Sequence, residues 1–99
     1  MATSAWDPEQ PYRLHPRVAL RPEPFGALAY HYDSRRLTFL RSALLVDVVK
    51  GLGDHASAAE AVDSLVPQGR RGSFLKALAN LAESHFIHPL DAGDHDVDR

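Results

Sequence analysis

The chemically capable residues of this 99-residue chain are six histidines, a few serines and carboxylates, and several arginines. His85 and His88 stand three apart, and His95 lies among Asp91, Asp94, Asp96 and Asp98. Imidazole and carboxylate together attract divalent metal, but a metal site needs its ligands fixed. Residues 91–99, DAGDHDVDR, have one sizeable apolar side chain and read as a disordered acidic tail. Surface histidines without a metal are therefore expected. Ser42, Ser57 and Ser73 stand where helices should begin, so capping accounts for them. None lies in a nucleophile elbow. Glu60 and Glu83 are isolated, and Gly51-Leu52-Gly53 lacks the Gly-Lys-Ser/Thr of a phosphate loop. The chain has no cysteine, which excludes a disulfide, a thiolate metal site and a cysteine nucleophile. No catalytic set emerges, so a binding protein without cofactor or metal is expected, not an enzyme.

Composition bounds what it could bind. The net charge is −2, against a dominant phosphate-binding surface. Hydrophobic residues make up 44% and charged residues 24%, ordinary values for one small folded domain. No apolar run nears the roughly 20 residues of a membrane span. Residues 1–10 have neither the basic start nor the apolar stretch of a signal peptide. A cytoplasmic location is expected.

The pattern places a flexible segment at residues 1–11, a domain at 12–90 and the tail at 91–99. Val18-Ala19-Leu20 is a β-prone run held between Pro16 and Pro22, residues suited to a sheet edge. Pro24-Phe25-Gly26 signals a turn. Leu28, Tyr30 and Tyr32 then alternate with Ala29 and His31. A polar hairpin at Asp33-Ser34-Arg35 leads to Arg36–Leu40, where Leu37 and Phe39 oppose Arg36 and Thr38. These three strands form an antiparallel meander, with Leu37 and Phe39 expected in the core.

Helices follow. Ser42 caps a helix with the stripe Leu44, Leu45, Val48, Val49 and Leu52, closed by Gly51 and Gly53. Ser57-Ala58-Ala59-Glu60 is a capping-box pattern opening a second, with Ala58, Ala61, Val62 and Leu65. A third runs from about Arg71 to His85, with Phe74, Leu75, Leu78, Leu81 and Ala82 on one side. The fold class is α+β: a three-stranded antiparallel sheet followed by three helices that cover one face, as in winged helix-turn-helix domains.

Two binding modes suit that build. In a winged-helix DNA binder the last helix would read bases, yet within it only Lys76 is basic, with Arg70 and Arg71 before it. Peptide binding by strand addition needs an open sheet edge and a nearby apolar groove. With strand order 1-2-3, Arg36-Leu37-Thr38-Phe39-Leu40 is an edge. Arg35, Arg36 and Arg41, with Arg70 or Arg71, could meet acidic groups on the peptide.

Arg13-Leu14-His15-Pro16, then Val18-Ala19-Leu20-Arg21-Pro22-Glu23-Pro24-Phe25-Gly26-Ala27-Leu28, and Arg36-Leu37-Thr38-Phe39-Leu40 resemble the mycofactocin-system peptide chaperones. Asp54-His55 and Leu75, Ala77-Leu78, Leu81-Ala82-Glu83-Ser84 extend the likeness over about residues 12–87. That family is similar to the chaperone of pyrroloquinoline quinone biosynthesis and to the RiPP recognition elements, which bind ribosomally made, modified peptides. The resemblance implies a non-enzymatic chaperone that binds a precursor peptide and delivers it to a radical S-adenosylmethionine maturase. It further implies that the leader region adds as a strand beside the third strand and packs on the last helix. Those positions here are Arg36, Leu37, Thr38, Phe39 and Leu40, with Arg71, Phe74, Leu75 and Leu78. Arg41 stands between that strand and the cap candidate Ser42, where related quinone chaperones place the cap directly.

Overall fold

The computed structural model describes residues 6–90. The expected tail, His95 and residues 1–5 of the expected lead-in lie outside the described residues. The elements are β1 (Tyr12–Leu14), β2 (Val18–Glu23), β3 (Gly26–His31), β4 (Leu37–Leu40), α1 (Ala43–Gly51), α2 (Ala58–Leu65), α3 (Arg71–Glu83) and β5 (Ile87–Pro89). Strands β2, β3 and β4 form the expected antiparallel meander, in that order. A second, two-stranded sheet pairs β1 with β5, so the chain's first and last described elements meet.

Which face of the meander is covered differs from expectation. Leu37 and Phe39 are 59% and 53% exposed, while Thr38 and Leu40 turn inward. The covered face of β3 carries Ala27, Ala29 and His31. The reason is steric. Two alanines let α1 lie close against β3, and Leu40 with Val48 and Val49 of α1 and Leu52 just after it fills the space between. Larger residues on that face would hold α1 off. The opposite face bears Leu28, Tyr30, Tyr32, Leu37 and Phe39, without a helix over it.

The turns that set this register are specific. Gly26 has φ +146°, and a Cβ there would run into the carbonyl oxygen of Leu40. Only glycine lets β3 begin so close to β4. At the β3–β4 hairpin, His31 N–H donates to Arg36 C=O (2.9 Å), and Arg35 N–H donates to His31 C=O (2.8 Å). Arg35, the last residue of the loop, is left-handed, φ +63°.

The helices start as expected. Ser42 Oγ accepts from Leu45 N–H at 2.9 Å, and Ser57 Oγ from Glu60 N–H at 3.0 Å. The return bond of the capping box reaches one residue further back: Glu60 Oε1 accepts from Ala56 N–H. Ser73 is not a cap. It sits in the first turn of α3 and donates to Arg70 C=O at 3.1 Å. Of the lead-in, residues 6–11 are described and lie against α2. Pro8 and Gln10 carbonyls accept from Ala59 and Ala58 N–H, first-turn donors without a helical partner. Trp6 stacks on Tyr12 with centroids 5.0 Å apart.

α3 ends in a Schellman closure. Phe86 N–H donates to Leu81 C=O and His85 N–H to Ala82 C=O, with His85 at φ +66°. Its stripe of Phe74, Leu78 and Leu81 joins Val62, Val66, Phe86, Ile87 and Tyr12 in one core.

Candidate functional site

The site begins with two unequal sheet edges. In an antiparallel ladder, backbone groups point alternately toward and away from the neighbouring strand. His31 faces Arg36 through a hydrogen bond, so the register sets Thr38 and Leu40 facing β3. The N–H and C=O of Leu37 and Phe39 then point outward. On the other edge, Tyr32 N–H bonds Arg17 C=O, so Val18, Leu20 and Pro22 of β2 point outward. Val18 N–H already donates to His15 C=O at 3.0 Å, and Pro22 has no N–H. β2 is thereby blunted, as proline blunts edges generally. β4 is the edge that can accept another strand.

A cleft of about 200 Å³ opens beyond the end of β4, between the first turns of α1 and α3. Leu45, Phe74 and Ala77 give it apolar walls, and Arg41, Ser42, Arg70 and Ser73 give it polar ones. Each arginine rests on an aromatic ring: Arg41 over Phe39 at 5.3 Å and Arg70 over Phe74 at 5.0 Å. Such stacking holds a guanidinium in place while leaving its N–H groups for a ligand.

The expected site residues distribute as follows. Arg36, Leu37, Thr38, Phe39 and Leu40 form the edge strand and the hairpin end before it. Phe74 lines the cleft. Leu75 is half-buried and packs on the core, and Leu78 is fully buried within it. Arg71 turns toward α2, its Nε 2.6 Å from Asp63 Oδ1, and that hydrogen bond holds its guanidinium charged more firmly than usual. Of Arg70 and Arg71, Arg70 is the one at the cleft. Ser42 and Ser73, expected as caps, Leu45, expected in a helix stripe, and Ala77, within the last helix, are cleft residues that the sequence does not mark as such. The available signal was helical spacing: Arg70, Ser73, Phe74 and Ala77 fall at i, i+3, i+4 and i+7.

The histidines take another place than expected. Three of them form a row of rings: His15 lies 4.6 Å from His31 and 4.7 Å from His88, centroid to centroid. His31 is 3% exposed, a buried residue and not a surface one. Each ring accepts a hydrogen bond: His15 Nδ1 from Arg17 N–H, His31 Nδ1 from Asp33 N–H, His88 Nε2 from Arg13 Nε–H. Burial first, and then the charge of His31, lower the His15 pKa from its ordinary 6.5. Among the described residues no group of three His, Asp or Glu could hold a metal ion. Among them, too, no helix is long and apolar enough to cross a membrane.

Comparison with known proteins identifies a family. Residues 11–88 match the model of the peptide chaperone MftB family. The chain is 43% identical over 89 residues to the peptide chaperone MftB of Mycobacterium ulcerans, covering 89% of this chain and 82% of that one. It is 42% identical over 85 residues to the protein of that name from Mycolicibacterium smegmatis, covering 85% and 83%. The Mycobacterium tuberculosis protein is 41% identical over 88 residues, covering 88% and 81%. All three are named as peptide chaperones and not as enzymes. No solved structure gives a significant match.

Proposed function

The chain belongs to the peptide chaperone MftB family, and on that footing we propose that it binds the leader region of the ribosomally made mycofactocin precursor peptide and presents it to a radical S-adenosylmethionine maturase. The observation that carries the reading is the open edge of β4 beside a cleft with apolar walls. The bound leader is a fourth strand. Its backbone pairs with the outward N–H and C=O groups of Leu37 and Phe39. Its side chains alternate between the exposed rings and aliphatics of the sheet and the cleft at Phe74, Leu45 and Ala77. Residues 12–90 are the binding unit, in the manner of a RiPP recognition element. Thr38 and Leu40 tie the strand to β3 and the core. Leu75 and Leu78 fix α3 from behind, and Arg71 braces α3 against α2. The protein contributes no chemistry to the reaction and works in the cytoplasm, where both partners are made.

Two variants separate the mechanism from general unfolding. Phe39→Pro removes an outward N–H and leaves the ladder to β3 intact. Thr38→Pro would instead break that ladder. A folded Phe39→Pro protein should bind the precursor peptide at least roughly tenfold more weakly, about one lost backbone bond and a clash. Unchanged affinity would rule out strand addition at β4.

A further inference from the structure

We propose that arginines at both ends of β4 act as a charge ruler, selecting an extended peptide segment with a carboxylate near each end of an apolar stretch. The inference rests on the strand-addition reading and adds the class of peptide accepted and the register in which it lies.

The charges on the strands are divided. Arg17 holds Asp33 at 3.0 Å, Arg21 holds Glu23 at 2.8 Å, and Arg71 holds Asp63 at 2.6 Å. Arg35 and Arg36 before β4, and Arg41 and Arg70 after it, make no ion pair among the described residues. The run Arg35–Val46 itself contains no carboxylate. A chain with net charge −2 thus brackets one open edge with four cations that have no acid of their own. Arg36 and Arg41 are five positions apart (41 − 36), about 17 Å along a strand.

Backbone strain supports the same assignment. Arg35 sits at φ +63°, a conformation that favours Gly or Asn. The side chain is exposed and supports nothing in the fold. A costly residue there is explained by what its charge meets in the bound state.

A ruler also answers a physical problem. Backbone pairing alone specifies register weakly, and a one-residue slip turns every side chain to the wrong face. Carboxylates about four to six residues apart would lock one register, with the intervening apolar residues on Leu37, Phe39 and the cleft. A second copy is a poorer occupant of the edge. Antiparallel pairing of two β4 strands through the outward groups of Leu37 and Phe39 would set Arg35 of one chain opposite Arg41 of the other, like charge on like.

The test uses two probes on the full chain: random peptides displayed on phage, and the precursor peptide in calorimetric titration. Wild type should enrich peptides with two acidic positions about four to six apart around apolar residues. An Arg36→Gln, Arg41→Gln, Arg70→Gln triple variant should lose that consensus. Each single variant should bind the precursor peptide about threefold to tenfold more weakly and with a shallower salt dependence. Arg35→Gly should melt at a higher temperature than wild type and still bind more weakly. These substitutions are on exposed residues, and thermal melts report whether each variant is folded. Enrichment without acidic spacing, or unchanged binding by the folded triple variant while Phe39→Pro abolishes it, overturns the ruler and leaves strand addition standing. Acidic peptides bound equally well by Phe39→Pro reveal an unspecific anion patch and overturn it too. No peptide bound by wild type overturns both readings.

Discussion

The ring of Phe25 meets the ring of Phe39 edge-on, centroids 5.6 Å apart and planes at 85°, on the face of the sheet that carries no helix. Phe25 lies in the β2–β3 turn and Phe39 in β4, so the pair ties the turn to the edge strand from outside the core. Tyr30 and Tyr32 meet in the same way along β3, at 5.2 Å and 80°. The uncovered face is thus ordered by its own aromatic contacts.

That placement gives a sharp stability contrast within one strand. Leu37→Gln should change unfolding free energy by no more than about 0.5 kcal/mol, as surface changes do. Leu40→Ala, three residues on, should cost about 2–5 kcal/mol through lost burial and the cavity left behind. Chemical denaturation of the two variants measures both. Equal costs would contradict the assignment of faces.

Gly26 should be intolerant of any side chain. Gly26→Ala forces a strained φ and pushes a methyl against Leu40 C=O, displacing β4. A loss of more than about 2 kcal/mol is expected in denaturant melts. A wild-type midpoint would show that the strands do not approach as described.

The end of α3 can be improved. His85 occupies a left-handed position that favours glycine. His85→Gly should raise stability by about 1 kcal/mol, since relief of strain outweighs glycine's added chain entropy. A fall in melting temperature would show that the imidazole makes a compensating contact.

The histidine row should make stability depend on pH. The folded chain holds the His15 pKa below 6.5, first by burial and then by the neighbouring His31, with Asp33 opposing. The unfolded chain then binds the proton more readily. The contribution is full above about 6.5 and is lost as pH falls from there toward the lowered folded value. Melting temperature should drop across this window in the wild type and drop less in His15→Gln. Identical profiles would remove His15 from the account.

Much of this architecture is legible in the residues. Alternation over 27–32 and 36–40 marks two strands, Pro16 and Pro22 bound a third, and Ser42 and Ser57 mark helix starts by their capping chemistry. Three features are not legible, for physical reasons. β1 and β5 have three residues each, too short for periodicity, and each is defined by a partner at the other end of the chain. The inward face of the meander carries small alanines, so apolar size alone points to the wrong face. The close of α3 uses His85 where glycine is the usual signal. For the site, the edge strand follows from strand order, and the cleft needs the tertiary meeting of two helix starts.

The most direct test of the central claim is calorimetric titration of the mycofactocin precursor peptide into the wild-type chain and into Phe39→Pro. One peptide per chain, bound at micromolar affinity or tighter, about −8 kcal/mol, and weakened at least roughly tenfold in the folded variant, is the predicted result. No binding to a folded wild-type protein, or equal binding to both, would contradict it.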